Sequence, residues 1–531
     1  MIGKKTAAWP VRCISLLLLC ILLAGCTRPG GSGKTEQETG TAETAETEQE
    51  TGTAETAETE QEAGMAETAK TAEEAAASTT VKSAAESAQE TAAGDAATST
   101  SAAAADTMTG AAQTAEPARP AEPAKPAGSD GLAEPAEPQT EPLTQEQKTD
   151  KMIREYLETL PLEDKVSGLF ILTPEQLTAY DVVTEADDLV QESLEKYPVA
   201  GLVFFGQNIV DRDQVKDLLA SIKEWGSIYP VKKKEARTAA ESAAAEEKSE
   251  PGMVLPPFLA IDEEGGNVLR IGSSAIDVPY VGSMGSVGAG GDPEAAYEAG
   301  NTIGAYLQEL GFNLDFAPDA DVLVAPSNVT IGDRSFGSDP ELCGQMVHRY
   351  VDGLHENGIA SCIKHFPGLG DTESDTHTGA AWSSRSIEDY RGAEFLSFDG
   401  GIDAGTEMVM ISHLSNSALS GSDIPASLNK TIITDILRSE LGFEGIVITD
   451  SLRMGAIAER FDSAEAAAAA FEAGADILLM PSDFHAARHG ILDAVHDGRI
   501  SEERIDESLF RILRLRAALD ESREEPAEEA E

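Results

Sequence analysis

The sequence predicts an α/β chain, a (β/α)8 TIM-type barrel forming one folded domain behind a disordered N-terminal tether. Three observations predict it. Short apolar runs alternate with longer amphipathic segments from about 149 to 520, and there are eight of them. Polar residues collect at the C-terminal tips of those runs. The first quarter of the chain has almost nothing from which to build a core.

Residues 1–25 have a basic start (Lys4, Lys5, Arg12), an apolar run from Ile14 to Leu23, and small residues at its end. That is the layout of an export signal; a membrane span needs about 20 apolar residues. The ending Leu23-Ala24-Gly25-Cys26 resembles a bacterial lipobox. It implies cleavage before Cys26, lipidation of that cysteine, and a membrane-anchored exported protein facing the cell wall or periplasm. A plain signal peptide or a signal anchor is the alternative.

Residues 26–145 are the expected tether. TEQETGTAETAE fills 35–46 and again 47–58, with a degenerate copy at 59–70, and proline-containing repeats follow near 115–127. Ala, Thr, Glu, Ser and Pro bury too little apolar surface to offset chain entropy. A second polar run over 230–252 reads as a surface insertion in the barrel domain, assigned to 146–520, and 521–531 as an acidic tail. The net charge of −55 excludes nucleic acid as a partner, because phosphates demand a basic surface. Of five cysteines, Cys13 and Cys20 leave with the signal and Cys26 takes lipid. Cys343 and Cys362 remain and read as two buried thiols, too few for a disulfide framework.

The eight runs are GLFIL (168–172), AGLVFFG (200–206), PPFLAID (256–262), FNLDFAP (312–318), IASCIKHF (359–366), MVMISH (408–413), GIVITD (445–450) and ADILLMP (475–481). Helical segments such as 211–225, 292–311 and 429–442 lie between them, which suggests parallel strands with crossovers. Eight strands close a barrel; an open doubly wound sheet is the runner-up. Asp262, Asp315, Lys364, His365, His413 and Asp450 all fall at or just inside strand C-termini. In an α/β barrel that end carries the functional loops.

Two features call for chemistry. The strand of GIVITDSLRMGAI (445–457) runs straight into Asp450, where loop N–H groups can keep a carboxylate ionised as a nucleophile. In KHFPGLGDTESDTHTG (364–379), Asp375 and His377 stand two apart, so the carboxylate can hold the imidazole in one tautomer for proton transfer. A nucleophile with a proton-shuttling dyad suits retaining acetal or glycosidic chemistry. A metal reading is weaker, since His365 and His377 lack metal-ligand spacing and DTESD is no complete calcium loop. No metal and no cofactor is expected.

KHFPGLGDTESDTH closely resembles the KHFPGHGxTxxDSH signature of glycoside hydrolase family 3, in its single-domain bacterial β-N-acetylglucosaminidase branch. AIDEEGGNVLRI (260–271), LDFAPDADV (314–322), IGDRSFGSDP (331–340) and ITDSLRMGAI (448–457) extend the resemblance in the family's order over 149–520. It implies a barrel enzyme that removes terminal β-linked N-acetylglucosamine, with cell-envelope glycans as substrate. Asp450 matches the nucleophile, His377 the general acid/base and Asp375 its partner. Asp262, Arg334, Lys364 and His365 match residues that bind sugar hydroxyls. Lys364 and Arg334 are also expected to help hold Asp450 ionised, and His413 to line the pocket or pack behind it. An imidazole in place of a second carboxylate avoids like-charge repulsion at the retaining separation of roughly 5–5.5 Å.

Three positions depart from the family pattern: Leu369 stands where a histidine is usual, Asn267 where an arginine is, and Ser451 where a second aspartate is. They bear on fine specificity and leave the nucleophile and dyad intact. The alternatives are a β-glucosidase or β-xylosidase, a phosphorylase of the same family, or a non-catalytic sugar-binding lipoprotein.

Overall fold

The computed structural model describes residues 143–241, 255–372 and 379–521. The signal, Cys26, the tether to 142, residues 242–254 of the insertion region, and 522–531 lie outside the described residues. Among the described residues no helix is long and apolar enough to cross a membrane.

All eight apolar runs form barrel strands: β1 (Phe170–Leu172), β2 (Gly201–Val203), β3 (Phe258–Ile261), β4 (Leu314–Asp315), β5 (Ala360–Phe366), β7 (Met408–Ile411), β9 (Ile446–Thr449) and β10 (Leu478–Leu479). They pair in parallel in the order β10-β1-β2-β3-β4-β5-β7-β9. An Ile448–Ile477 bridge joins the two ends, so the sheet closes and the open-sheet alternative is excluded. Every residue of these strands is buried. A parallel barrel covers both strand faces, which is why the runs read as continuous rather than alternating. The short β6 (Ala381–Trp382) and β8 (Leu414–Ser415) pair with each other beyond the tips of β5 and β7.

The crossover helices begin where the sequence supplies acceptors for free N–H groups. Asp292 caps Pro293–Leu310 and Asp339 caps Pro340–His355, each with proline in the first turn. The helix Arg212–Glu241 runs on into the stretch expected to start a surface insertion at 230. Its Lys-, Glu- and Ala-rich residues are good helix formers, so polarity there marks an extension of the helix at least as far as 241.

The N-terminal end of the barrel is closed by the helix Glu502–Glu521. Asp476, fully buried just before β10, accepts hydrogen bonds from Val447 N, Arg438, Arg511 and Ser508. Arg516, further along the helix, donates to the carbonyls of Leu255 and Pro256. Helix Gln145–Leu157 packs on the outside, with Arg154 over the Phe510 ring. Cys343 and Cys362 are free and buried, and burial raises both thiol pKa values, that of Cys343 to about 12.

Candidate active site

At the opposite, C-terminal mouth lies a pocket of about 440 Å³, lined by Asp262, Glu264, Arg334, Lys364, His365 and Asp450 among others. That is within the range of small-molecule sites, roughly 300–1,000 Å³. The tips of β3, β5 and β9 supply five of these six residues, so the barrel brings together side chains nearly 190 positions apart in sequence.

The loop leaving β3 is folded around a buried carboxylate. Glu263 accepts the backbone N–H groups of Arg270, Ile271 and Gly272 at 2.5, 2.9 and 2.8 Å, and the Tyr306 hydroxyl at 2.8 Å. Burial nevertheless raises its pKa, the four donors offsetting only part of that cost. Gly265, with φ of +100°, makes the sharp turn that lets the loop double back. This fold presents Asp262 and Glu264 to the pocket.

Glu264 and Lys364 form its floor. The ammonium of Lys364 lies 2.8 Å from Asp262 Oδ1 and 2.6 Å from Glu264 Oε1. Arg334 grips Glu264 with Nε and Nη2, both at 2.8 Å, a bidentate pair. Burial opposes ionisation of Asp262 and Glu264, but Lys364 with Arg270 or Arg334 overrides it and holds both carboxyls below the ordinary range. The same carboxylates keep Lys364 and Arg334 protonated.

His365 is oriented from both sides. Arg334 Nη2 approaches its Nε2 at 3.3 Å, and Nδ1 lies 2.8 Å from Asp321 Oδ2. Because a guanidinium only donates, Nε2 accepts and the ring proton sits on Nδ1, donated to Asp321. Burial and the nearby Arg334 charge depress the His365 pKa to about 4, so the ring is neutral. Asp319, Asp321 and His365 bring donor atoms within 4.8 Å of one another, a spacing that could hold a cation. Arg334 already fills that role, with Nε 3.4 Å from Asp319 Oδ2.

Asp450 projects from the tip of β9, its backbone N–H bonded to Ile411 O and its Oδ1 accepting Ser451 N at 2.7 Å. Lys364 and Arg334 share the pocket with Asp450 and make their ion pairs with Asp262, Glu264 and Asp319. Of the two roles expected of it, substrate binding at the pocket wall or packing behind it, His413 takes the packing one. It is fully buried, outside the pocket lining, with Nδ1 2.8 Å from Ser427 Oγ and Nε2 2.9 Å from Ser451 O. Ser427 and the carbonyl of Ser451 make it a brace for the turn that carries Asp450. Asp315 lies beneath the site and accepts Glu263 N.

Asp375 and His377 fall within 373–378, outside the described residues. Their flanks are tied together: Ser383 Oγ donates to Asp371 Oδ2 at 2.5 Å, and Leu369 N donates to Asp321. Five polar residues of the site were not singled out from sequence: Glu264, Arg270, Asp319, Asp321 and Arg453. All sit within segments already marked by their motifs, AIDEEGGNVLRI, LDFAPDADV and ITDSLRMGAI. Arg270 stacks over Phe205 and stands 3.6 Å from Asp262 Oδ2.

A closed parallel barrel with carboxylates and cations converging at its C-terminal mouth is an α/β-barrel with a built polar pocket. The family is specific: residues 163–515 match the glycosyl hydrolase family 3 N-terminal domain, and the chain belongs to that family. A family 3 β-N-acetylglucosaminidase from Paenibacillus sp. str. FPU-7 superposes with a TM-score of 0.59 at 34% identity, over 68% of this chain and 64% of that one. Beta-hexosaminidase A of Pseudoalteromonas piscicida is 31% identical over 356 residues, which are 63% of this chain and 56% of that protein. A beta-hexosaminidase of Stenotrophomonas maltophilia strain K279a is 31% identical over 301 residues, 56% of this chain and 80% of its own length. The chain thus spans less than two thirds of the first two relatives.

Proposed function

We propose that this protein is a retaining exo-glycosidase that releases terminal β-linked N-acetylglucosamine, acting on peptidoglycan-derived or other envelope glycans from a lipid anchor at Cys26. Asp450 carries the reading: a carboxylate at a strand tip, oriented by Ser451 N and opening onto the pocket. It attacks the anomeric carbon, and the glycosidic oxygen leaves with a proton from His377, oriented by Asp375. Water then attacks the glycosyl-enzyme and gives its proton back to His377. Lys364 uses two of its three N–H donors on Asp262 and Glu264, which leaves one for a sugar hydroxyl. The similarity to relatives named as hexosaminidases supports the N-acetyl preference.

The test compares the full chain with Asp450→Asn on aryl β-N-acetylglucosaminide and aryl β-glucoside, with and without phosphate. Hydrolysis of the N-acetyl sugar that disappears in the variant is expected. Activity confined to the glucoside, or dependence on phosphate, would replace the reading with a glucosidase or a phosphorylase. Silence on both would leave a sugar-binding protein. Loss of membrane association in Cys26→Ser tests the anchor separately.

A further inference from the structure

Three of the chain's eight histidines lie on one 13-residue helix, Phe484–His496. Phe484, Ala487, Gly490, Ile491 and Ala494 form its buried side. A Cβ at Gly490 would stand 2.5 Å from the carbonyl oxygen of Ala464, so the helix is seated closely on its neighbour Ser463–Ala473 and held in one orientation. The opposite side carries His485, His489, Asp493 and His496, all exposed. Steps of four, four and three residues keep them on one helical face. None of them lines the pocket that holds Asp450.

His485 and His489 have the spacing of a chelating pair. Residues i and i+4 on a helix bring their Cβ atoms within about 5–6 Å, and two helical histidines so placed can hold one divalent transition ion. Helical side chains lean toward the N-terminus, so His489 reaches over the turn that carries His485. The His485 ring is braced, its centroid 5.2 Å from those of Tyr197 and Phe484. A braced imidazole loses little rotamer freedom on binding. Asp493 stands one turn beyond His489, where its carboxylate can accept the ring N–H that faces away from the ion and make the imidazole a better ligand. Arg488, the one arginine on this helix, turns instead to Ser167 Oγ and the Glu163 carbonyl, and Lys196 lies over the Tyr197 ring.

We propose that His485 and His489 form a binding site for a divalent first-row transition ion, with water completing the coordination and Asp493 orienting His489. Imidazole nitrogen favours copper, nickel and zinc over calcium and magnesium, which take oxygen ligands. Affinity should rank copper above nickel and zinc. Two protein ligands on an exposed face make the ion exchangeable, unlike the closed four-ligand sites of structural zinc. The two rings hold this spacing only while the helix is folded, so occupancy adds to stability. Nothing in this site depends on the glycosidase reading.

The experiment uses the full chain, freed of metal with a chelator, beside His485→Gln, His489→Gln and Asp493→Asn. All three changes are on the exposed helix face, and circular dichroism of the metal-free variants should match wild type. Copper(II), nickel(II) and zinc(II) are titrated one at a time by calorimetry, in excess magnesium to occupy surface carboxylates. The copper sample is also examined by electron paramagnetic resonance. Wild type is expected to bind copper with nitrogen hyperfine structure from two imidazoles, and to melt at higher temperature with nickel or zinc. Either histidine variant should weaken binding at least about tenfold and remove the rise in melting temperature, and Asp493→Asn should weaken it about tenfold, as loss of an outer partner does. No uptake by wild type, uptake unchanged in both histidine variants, or copper displaced by the magnesium would overturn the site.

Discussion

Lys364 holds its ammonium 2.6 Å from Glu264 Oε1, with both side chains almost wholly excluded from solvent, at 2% and 1% exposure. Arg334 completes the arrangement from the other side. Replacing Glu264 with Gln leaves two buried cations short of one counter-charge. Breaking such a pair from one side costs about 3–5 kcal/mol, so Glu264→Gln should lower unfolding free energy by that order and reduce activity with it. The folded pKa of Glu264 is depressed, so its contribution is present above the unfolded carboxyl value and lost only in strong acid. Urea titrations should therefore show the same gap between wild type and variant from pH 5 to pH 8. Equal stability at pH 7 would mean that Asp262 and Asp319 suffice.

Asp319 should give the opposite pH trend. Burial, and then the neighbouring Asp321 charge, push its carboxyl up to about 8, against partial relief from Arg334. A folded value above the unfolded one, about 3.9, means that the group's contribution is complete in acid and lost as pH rises through 8. Asn at this position cannot ionise and has no such loss. Melting temperatures of Asp319→Asn minus wild type should thus become more positive between pH 6 and pH 9. A difference that stays flat would show that Arg334 keeps Asp319 ionised throughout.

What could be read in the sequence follows from how each feature is encoded. All eight apolar runs became barrel strands because a parallel barrel buries both faces, and that demand leaves an unbroken mark. Asp262, Lys364, His365 and Asp450 were visible as polar residues ending such runs, and the closed sheet brings them to one pocket. Glu264, Asp319 and Asp321 were not, because their importance lies in partners 70, 15 and 44 positions away in sequence. His413 shows the limit of strand-tip reasoning: the tip fixes a residue's level in the barrel, while its ring turned to Ser427 and Ser451.

The floor of the barrel predicts a mutation that separates stability from chemistry. Asp476 is buried, and Arg438, Arg511, Ser508 and Val447 N converge on it. Asp476→Ala strands Val447 N, Ser508 and three arginines, Arg438, Arg504 and Arg511, and should cost about 3–5 kcal/mol. Because the site is at the other end of the strands, kcat at 25 °C per folded molecule should stay within about twofold of wild type, as expected of sites that share no partners. Calorimetry with active-site titration checks both halves. A large fall in kcat would mean that the floor helix Glu502–Glu521 communicates with Asp450 through β9.

Gly370, the second loop glycine of KHFPGLG, makes the last prediction. A Cβ built there would lie 1.7 Å from Val322 O and 2.6 Å from its carbonyl carbon, so no side chain fits without moving the loop. The displaced stretch runs directly into Asp371 and the segment bearing Asp375 and His377. Gly370→Ala should therefore reduce kcat/KM, on the order of a hundredfold for a displacement near 1 Å. Aryl β-N-acetylglucosaminides of graded leaving-group acidity locate the damage. If proton delivery by His377 is what fails, the loss should grow as the leaving group becomes more basic. A uniform loss would place the fault at the pocket floor instead, where Leu369 N bonds to Asp321 and Asp321 holds His365. Full activity would show that the loop re-forms around the added methyl group, and that close packing against Val322 is not what positions the acid/base pair.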